Sequence, residues 1–486
     1  MVSNLTLENR LPGHAGNLTV EQTASVKRLW SRLFELFAQP GDKINLPPPL
    51  DQPKEAETKE TKSGGGLFGW GGKKKTEEKA NNSEKYVFLG RTSDPRWMEM
   101  TLMEALPLIP GEKLEYTFWQ MVATDNPDST LLRYLRARKW DDDAAYRMLA
   151  NTLRWRLHMR VDDISKLGET GLHTELEKVK PGLGDQFLEQ MRMGKATLGG
   201  PDKSNRGICF INVQLHYKDD QPAEAIQLCS LYLMETARIF MGYPMVNACI
   251  VFNLENFTLA NWDSLVLKGI ESWMGLVAVM TNMCTKKKKS IQDFEFVKFL
   301  LTCLERYYPE TLGLCLIHKA PWVFSTVWSV VSPMLDPVVA AKIKFSKNLE
   351  EFQQHIDVGS TPVIISKNPN VKTKDEAVVA DPPKAGLLET PNTPEYLAYI
   401  EETKLYKKET NEWAKEELTE ETLASDALKR LERGRVHRIA RIKAEKDIRA
   451  NTIYHEKGLI KLTPEARLFI DFGGGNWEMQ DITERV

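Results

Sequence analysis

Residues 307–345 have the sequence YYPETLGLCLIHKAPWVFSTVWSVVSPMLDPVVAAKIKF, in which two short apolar runs flank a longer one. The short runs, Gly313 to His318 and Lys342 to Phe345, have the length and the apolar, β-branched and aromatic content of strands. The longer run, Trp322 to Val331, is apolar on nearly every side and is predicted to be a helix that needs burial or an apolar partner. The stretch therefore predicts two parallel strands joined by a helix.

The same alternation of strand and helix patterns extends on both sides of this unit. Strands are predicted at Gly207 to Leu215, Ala248 to Leu254 and Pro362 to Ile365, and helices at Ala223 to Met241 and Phe294 to Tyr307. Nearly continuous apolar strands that alternate with helices are typical of an α/β fold. We therefore expect a mostly parallel sheet covered by helices.

The chain before the predicted sheet has the pattern of a helical lobe. Thr19 and Gln22 form a capping box at the start of its first helix, and Asn126 and Asp141 are predicted N-caps of two later helices. Between these helices, residues 47–84 are rich in Pro, Lys, Glu, Gly and Ser, which predicts a disordered insertion.

The chain after Asp381 is helical in pattern and densely charged. It predicts a long solvated helix or helix pair with a narrow apolar seam, formed by Leu428, Leu431, Ile439 and Ile442. The final segment, Leu459 to Val486, has enough aromatic residues to pack somewhere, but its pattern does not indicate where. If lipid transfer is the function of the lobe and sheet, truncation after Asp381 is expected to leave it intact.

Composition and charge argue against a nucleic-acid-binding, secreted or membrane-spanning protein. The 486 residues include 65 Lys and Arg against 67 Asp and Glu, so the net charge of -2 gives no reason to expect a nucleic-acid partner. Six isolated cysteines without a CxxC pair indicate a reducing cytosol. The N-terminal residues lack the pattern of a secretory signal, and the longest nearly uncharged run, Ser272 to Cys284, is shorter than the roughly 20 residues that span a bilayer. Any membrane contact is therefore predicted to be peripheral.

Motifs of the common enzyme classes are missing from the sequence. It contains no H-E-x-x-H, no G-x-S-x-G, and no G-x-G-x-x-G after the first predicted strand. His318, at the end of an apolar strand, is predicted to be structural. We therefore predict a protein that is not an enzyme and that uses neither a metal nor a cofactor.

Three stretches together resemble the CRAL-TRIO lipid-binding domain: Asp125 to Leu149, Pro244 to Asn261, and Tyr307 to Phe345. The last is the most specific, because it combines a Y-P-E-x-L-G turn, a buried strand, A-P-W-x-F and L-D-P-V in this order. The pattern is most similar to that of fungal non-classical phosphatidylinositol transfer proteins. The resemblance implies a helical N-terminal lobe and a sheet that floors an apolar pocket for one lipid.

The resemblance also assigns a gate to this pocket and residues to its walls. The helix after A-P-W-x-F is the gate, and its apolar residues are Trp322, Phe324, Val327, Trp328, Val331 and Met334. The pocket strands are expected to contribute Phe210, Ala248, Ile250 and Phe252.

Three charged positions match the residues that the family pattern uses for a phosphoinositide headgroup. These are Arg138 in R-A-R, Glu310 in Y-P-E and Lys342 after D-P-V. Arg138 and Lys342 can neutralise a phosphodiester, and Glu310 can bind inositol hydroxyls or orient Lys342. Val339 replaces the threonine that the family has in D-P-V-T, which removes one hydroxyl from this site.

The choice of lipid rests on the second pocket strand. Classical members hold phosphatidylcholine with small hydroxyl residues, and the corresponding positions here are Ala248 and Ile250. We therefore predict a carrier of phosphatidylinositol, the phospholipid partner, that does not carry phosphatidylcholine. Two alternatives stay open: a carrier of an apolar guest such as a sterol precursor or isoprenoid, and a lipid-sensing scaffold whose C-terminal helices bind a protein partner.

Residues 262–292 form an atypical insertion within the family pattern. Its lysines, Lys286, Lys287, Lys288 and Lys289, are predicted to contact an anionic membrane transiently. A solvated loop and translation of an unspliced intron are the other interpretations of the insertion.

The predicted organisation comprises five parts. A helical segment (1–46), a disordered insertion (47–84) and a helical lobe (85–165) precede the lipid-binding domain (166–367) and a charged helical extension (368–486). The expected location is the cytoplasm, with peripheral association to the endoplasmic reticulum or endosomes.

Overall fold

The computed structural model describes residues 6–41, 87–93, 96–216, 222–256, 299–300, 302–322, 337–367, 389–471 and 479–486. The predicted insertions at 47–84 and 262–292, the four lysines from Lys286 to Lys289 and most of the predicted gate helix lie outside the described residues. The predictions made for these segments therefore stay predictions.

A central sheet of five strands organises the described residues. Its strands follow one another in space in chain order: β1 (Ala196–Gly199), β2 (Gly207–Asn212), β3 (Ala248–Asn253), β4 (Leu312–His318) and β5 (Ile343–Ser346). β1 pairs with β2 in the antiparallel direction, and the other neighbours are parallel. The predicted α/β fold with a mostly parallel sheet is confirmed. β1 was not predicted, because its four residues show no apolar run.

A helical lobe precedes the sheet. Its helices are α1 (Val20–Ala38), α2 (Arg96–Glu99), α3 (Leu102–Ala105), α4 (Gly111–Val122), α5 (Pro127–Ala137), α6 (Asp142–Met159), α7 (Val161–Val179) and α8 (Leu183–Arg192). The predicted caps are confirmed: Thr19 and Gln22 exchange two hydrogen bonds of 3.1 Å, and Asn126 and Asp141 accept bonds from the first turns of α5 and α6. These caps satisfy backbone N–H groups that a helix start leaves unpaired.

Short helices cover the sheet and connect its strands. They are α9 (Ala223–Ala237), α10 (Pro337–Ala341), α11 (Leu349–Gln353) and α12 (Val363–Ser366), together with a π-helical turn at Cys303–Tyr307. The predicted strand at Pro362 to Ile365 is wrong, because the Pro362 carbonyl accepts bonds of 2.9 Å from the N–H groups of Ile365 and Ser366. A proline suits a helix start, and Ile365 is buried there against the sheet.

The C-terminal region folds back onto both the lobe and the sheet domain. It contains α13 (Pro394–Trp413), α14 (Glu420–Lys443), α15 (Glu445–Ile448), α16 (Ile453–Glu456), and a small antiparallel sheet of β6 (Ile460–Leu462), β7 (Leu468–Ile470) and β8 (Gln480–Asp481). Trp413 and Leu431 join the core of the lobe, whereas Ile460 and Ile470 join the largest core cluster. The final segment, which the sequence could not place, is therefore part of the core.

The predicted C-terminal helix pair is confirmed as α13 and α14, but the prediction that it is solvated is wrong. Arg430, Arg438 and Arg441 on α14 are all buried, at 8%, 0% and 1% exposure. Arg438 donates to the carbonyl oxygens of Ile482 at 2.7 Å and Thr483 at 3.1 Å, and Arg441 pairs with Glu445. Burial is tolerated because each guanidinium has carboxylate or carbonyl partners that replace water.

Candidate lipid-binding face of the sheet

Strand register separates the sheet into two faces. Ile250 pairs with Cys209 and Cys315, whereas its neighbour Val251 pairs with Phe210 and Leu316. Because paired residues of adjacent strands share a face, Ala248, Ile250 and Phe252 lie on one face, and Phe210 lies on the other. The prediction that Phe210 lines the same pocket wall as these three residues is therefore wrong.

The face that contains Phe210 is a closed core. Phe210 is 5% exposed and packs in one cluster with Phe352 of α11 and Ile365 of α12. His318 ends β4 on this face, fully buried, with its Nδ1 2.9 Å from Ser346 Oγ. Burial and the nearby Lys319 lower the pKa of His318 to about 4, so its ring is neutral at physiological pH.

The opposite face is apolar on every strand. Its residues in the described sheet are Ala196, Leu198, Gly207, Cys209, Ile211, Ala248, Ile250, Phe252, Leu312, Cys315, Ile317, Ile343 and Phe345. Cys209, Ile211, Ile250 and Phe252 are half-buried, so the centre of this face is less covered than the other one. We call these residues the apolar face. Leu198 belongs to the largest core cluster, and Ala196 and Cys209 pack against it, so the surface left for a lipid chain lies around Ile211, Ile250 and Phe252, without a hydroxyl or a charge.

The cysteine thiols at this face behave as apolar groups. Burial raises the pKa of the Cys209 and Cys315 thiols to about 12, and that of Cys229 on α9 to the same value. A thiol with such a pKa is protonated at physiological pH and is a poor nucleophile. These cysteines therefore extend the apolar surface and give it no reactive group.

Glu310 contacts Arg136, an arginine that the family pattern did not indicate. Its Oε2 lies 3.7 Å from Arg136 Nε, and its backbone has a left-handed φ of 60° in the turn before β4. Arg138, the predicted residue, is exposed at the end of α5, and Lys342 is half-buried just before β5. The turn thus joins the lobe to the sheet domain through Arg136 and Glu310.

Arg136 was missed by the sequence analysis. Its Nη1 donates to the Gly13 carbonyl at 2.8 Å, and burial, with Arg133 nearby, lowers its pKa to about 10. Arg136 follows the buried Leu132 by four residues, so both lie on one side of α5, whereas Arg138 is rotated away. This spacing was the signal that distinguished the inward arginine from the exposed one.

The predicted gate is described at one residue only. Trp322 is 86% exposed at the end of the β4 segment, whereas Phe324, Val327, Trp328, Val331 and Met334 lie outside the described residues. In the described ranges, no helix combines the length and apolar content needed to cross a bilayer.

In the described ranges, one group of side chains consists of residue types that can bind a metal ion, with their possible ligand atoms close together. The ligand atoms of His173, Glu177 and Asp185 lie within 4.8 Å of one another. The Glu177 carboxylate accepts hydrogen bonds from the N–H groups of Gly182 at 2.8 Å and Gly184 at 2.7 Å, and His173 contacts Asp185 at 3.0 Å. The capping of α8 accounts for this arrangement, and we assign no metal to it.

Comparison with known proteins identifies the family. The model of the CRAL/TRIO N-terminal domain matches residues 75–151, and that of the CRAL/TRIO domain matches residues 191–277 and 266–365. The chain belongs to the CRAL-TRIO family. The two matched segments of the second domain overlap within the predicted insertion at 262–292.

Two fungal relatives support this membership. The CRAL-TRIO domain-containing protein C3H8.02 of Schizosaccharomyces pombe is 35% identical over 246 residues, which are 51% of this chain and 47% of that protein. The phosphatidylinositol transfer protein CSR1 of Eremothecium gossypii is 32% identical over 371 residues, which are 72% of this chain and 76% of that protein. The chain thus spans about half the length of the first CRAL-TRIO relative and about three quarters of the second. The crystal structure of Sfh5 aligns with 53% of this chain and 82% of its own at 13% identity and a TM-score of 0.37.

Proposed function

We propose that this CRAL-TRIO protein carries phosphatidylinositol, and not phosphatidylcholine, between membranes. The apolar face of the sheet is the observation that supports a lipid cargo, since Ile250, Phe252 and Cys315 present only carbon and protonated sulfur. The similarity to a phosphatidylinositol transfer protein, CSR1, supports the choice of lipid.

The proposed mechanism shields acyl chains from water and breaks no covalent bond. Each methylene that leaves water for an apolar surface contributes about 0.8 kcal/mol. Two acyl chains therefore make unassisted transfer slow, and the apolar face lowers the barrier by replacing the membrane interior. The lipid gradient between the two membranes supplies the driving force.

The headgroup is proposed to lie at the turn between the lobe and β4. Arg138 presents an exposed guanidinium for the phosphodiester, and Glu310 accepts hydrogen bonds from inositol hydroxyls. Arg136, 3.7 Å from Glu310, orients this carboxylate, and Lys342 adds a second positive charge. The choline group of phosphatidylcholine is a quaternary ammonium without hydroxyls, so it cannot donate the hydrogen bonds that Glu310 accepts from inositol.

We further propose that the chain works in the cytoplasm, with transient contact to endoplasmic reticulum or endosomal membranes. Residues 85–165 and 166–367 are proposed to form the lipid module. A carrier of a sterol precursor or isoprenoid is the second candidate, because the apolar face lacks hydroxyl groups on all five strands.

Native mass spectrometry of the full chain, incubated with vesicles that contain phosphatidylinositol, phosphatidylcholine and squalene in equal amounts, tests this proposal. One bound phosphatidylinositol per chain is expected. A chain that retains only squalene, an isoprenoid sterol precursor, supports the second candidate, and a chain that retains phosphatidylcholine as well as phosphatidylinositol contradicts the proposed selectivity. Glu310→Gln is expected to lower the bound phosphatidylinositol, whereas Glu305→Gln, an exposed position five residues upstream, is the matched control.

A further inference from the structure

The C-terminal region reaches the edge of the apolar face. Tyr454 of α16 is 4% exposed, and its Oη accepts a 3.1 Å hydrogen bond from the Leu198 N–H of the edge strand β1. α16 comes after residue 365, where the matched family domain ends. A residue outside the matched CRAL/TRIO domain therefore contacts the strand that borders the proposed lipid surface.

The Tyr454 ring packs on the side of the sheet that carries the apolar face. Tyr454 and Leu198 belong to the largest core cluster, and Cys209 packs against this cluster. Phe210, on the opposite face, belongs to a different cluster. Burial raises the pKa of the Tyr454 phenol, and the Cys209 and Cys229 thiols are close enough to raise it further. The ring thus lies near Cys209, on the side that a lipid would contact.

Strand register shows how far this ring is from the open part of the surface. Leu198 pairs with Cys209, and the half-buried Ile211 pairs with Ala196. Residues two apart on a strand point to the same face and lie about 7 Å from each other. An acyl chain that runs along β2 from Ile211 toward Cys209 therefore meets the core cluster after one residue pair, at the position where Tyr454 bonds to β1.

Two contacts with α7 hold the backbone around Tyr454 in place. The Ala450 N–H donates to the Lys166 carbonyl at 2.8 Å. The Ile453 N–H donates to both oxygens of the buried Glu169 carboxylate, at 3.1 Å each. A ring that follows an anchored backbone and is itself bonded to β1 forms a fixed wall, which does not move aside for a longer acyl chain.

We propose that Tyr454 ends the surface for acyl chains and thereby limits the chain length of the phosphatidylinositol that the protein accepts. This inference rests on the proposed function, because it concerns the acyl chains of the same lipid. A chain longer than the surface leaves its extra methylenes outside the protein, and each methylene changes binding about fourfold. Tyr454 is thus a specificity-determining residue that the C-terminal region supplies to the lipid module.

Native mass spectrometry with lipids of different chain length tests the proposal. The full chain is incubated with vesicles that contain dipalmitoleoyl, dioleoyl and dieicosenoyl phosphatidylinositol in equal amounts, and separately with the same three forms of phosphatidylcholine. The wild type is expected to prefer the shorter forms. Tyr454→Leu lowers the wall and is expected to raise the ratio of bound dieicosenoyl to dipalmitoleoyl lipid at least about fourfold, which is the effect of one methylene.

Two control variants separate chain length from other effects of the substitution. Tyr454→Phe retains the ring and is expected to keep the wild-type ratio. Tyr399→Leu makes the same change at a tyrosine of α13 that is 2% exposed and belongs to another core cluster, and it should also keep this ratio. Circular dichroism checks that each variant is folded. If Tyr454→Leu does not fold, Cys209→Leu replaces it, because a larger side chain at the same end of the surface is expected to lower the ratio at least about fourfold.

Two results would overturn the proposal while the proposed function stands. They are a wild-type ratio in Tyr454→Leu, or in Cys209→Leu where that variant replaces it, and a rise in Tyr399→Leu equal to that in Tyr454→Leu. A wild type that retains phosphatidylcholine contradicts the proposed choice of headgroup, and the same ratios, measured on phosphatidylcholine, still decide the role of Tyr454. A wild type that retains neither phospholipid would overturn both proposals.

Discussion

Arg430 and Asp128 form a buried bidentate ion pair that joins the C-terminal region to the lobe. Arg430 Nε lies 2.9 Å from Asp128 Oδ2, and Arg430 Nη2 lies 2.7 Å from Asp128 Oδ1, although 302 residues separate them in the chain. Trp30 and Tyr406 donate to the same carboxylate, at 2.8 and 3.2 Å. One carboxylate thus connects α1, α5, α13 and α14.

Removal of the Arg430 charge is expected to destabilise the protein strongly. Arg430→Met keeps the apolar part of the side chain but leaves the Asp128 carboxylate buried without its cation, which costs about 3–5 kcal/mol. Chemical denaturation measures the change in the free energy of unfolding. Lys429→Met, at the adjacent exposed position, is the control and is expected to change it by less than about 0.5 kcal/mol. Equal stability of the two variants would show that the pair does not hold the C-terminal region in place.

Truncation before α13 is expected to prevent folding. The sequence predicted that a chain cut after Asp381 would retain its transfer activity, but Trp413 and Leu431 belong to the core of the lobe, and Ile442 to the largest cluster. Loss of these residues exposes apolar surface on both the lobe and the sheet domain. Soluble yield and thermal unfolding of residues 1–388 measure the effect. A truncated chain that unfolds cooperatively near the temperature of the full chain would contradict this prediction.

The sequence predicted the helix caps, the parallel sheet and the positions of four strands, because these depend on residues close together in the chain. It did not distinguish the two faces of the sheet, since both Phe210 and Ile250 belong to continuous apolar runs. Alternate residues of a strand point to opposite faces, but in a continuous apolar run the residues on both faces are apolar, so the sequence does not show which face is outward. Strand register was needed to separate the core face from the apolar face.

The buried arginines of α14 were unpredictable for a different reason. The charge density of this helix is typical of a solvated surface, and the partners of Arg430 and Arg438 lie in distant segments. Local charge patterns do not show which residues a fold brings together. The contact between Arg136 and Glu310 is a similar case. The family pattern indicated Arg138 and Glu310, but the turn of α5 brings Arg136, and not Arg138, next to Glu310.

Stability is expected to fall as the pH rises from about 4.5 to 7 because of Glu169. This fully buried residue of α7 accepts bonds of 3.1 Å from the Ile453 N–H, and burial raises its pKa from 4.5 to about 7. Glu169 binds its proton more tightly in the folded state than in the unfolded state. The stabilisation that this protonation gives is fully present below pH 4.5 and is lost as the pH rises through about 7. Over this pH range the free energy of unfolding is expected to fall by about 3 kcal/mol because of this one group.

Glu169→Gln removes this titration and retains the side-chain acceptor. Urea denaturation between pH 4.5 and 8 is expected to show a smaller loss of stability with pH than in the wild type. Glu189→Gln, at an exposed site on α8, should leave the wild-type pH dependence unchanged. A Glu169→Gln profile parallel to that of the wild type would mean that Glu169 does not titrate in this range.

A hydroxyl on the apolar face is expected to alter lipid choice. Ile250→Thr places a hydroxyl at the position where classical family members hold phosphatidylcholine, and phosphatidylcholine binding is expected to increase above the wild-type level. Val251→Thr introduces the same group on the opposite face and is expected to lower stability without this gain. Binding of labelled phosphatidylcholine to both variants measures the difference, and an equal gain in both would contradict the assignment of the lipid face.

Transfer of labelled phosphatidylinositol and phosphatidylcholine by the full chain, from donor to acceptor vesicles, tests the central claim most directly. The proposed function predicts that phosphatidylinositol transfer rises with protein concentration and that phosphatidylcholine transfer stays at the rate without protein. Phosphatidylcholine exchange as fast as phosphatidylinositol exchange, or no transfer of either lipid, would contradict it.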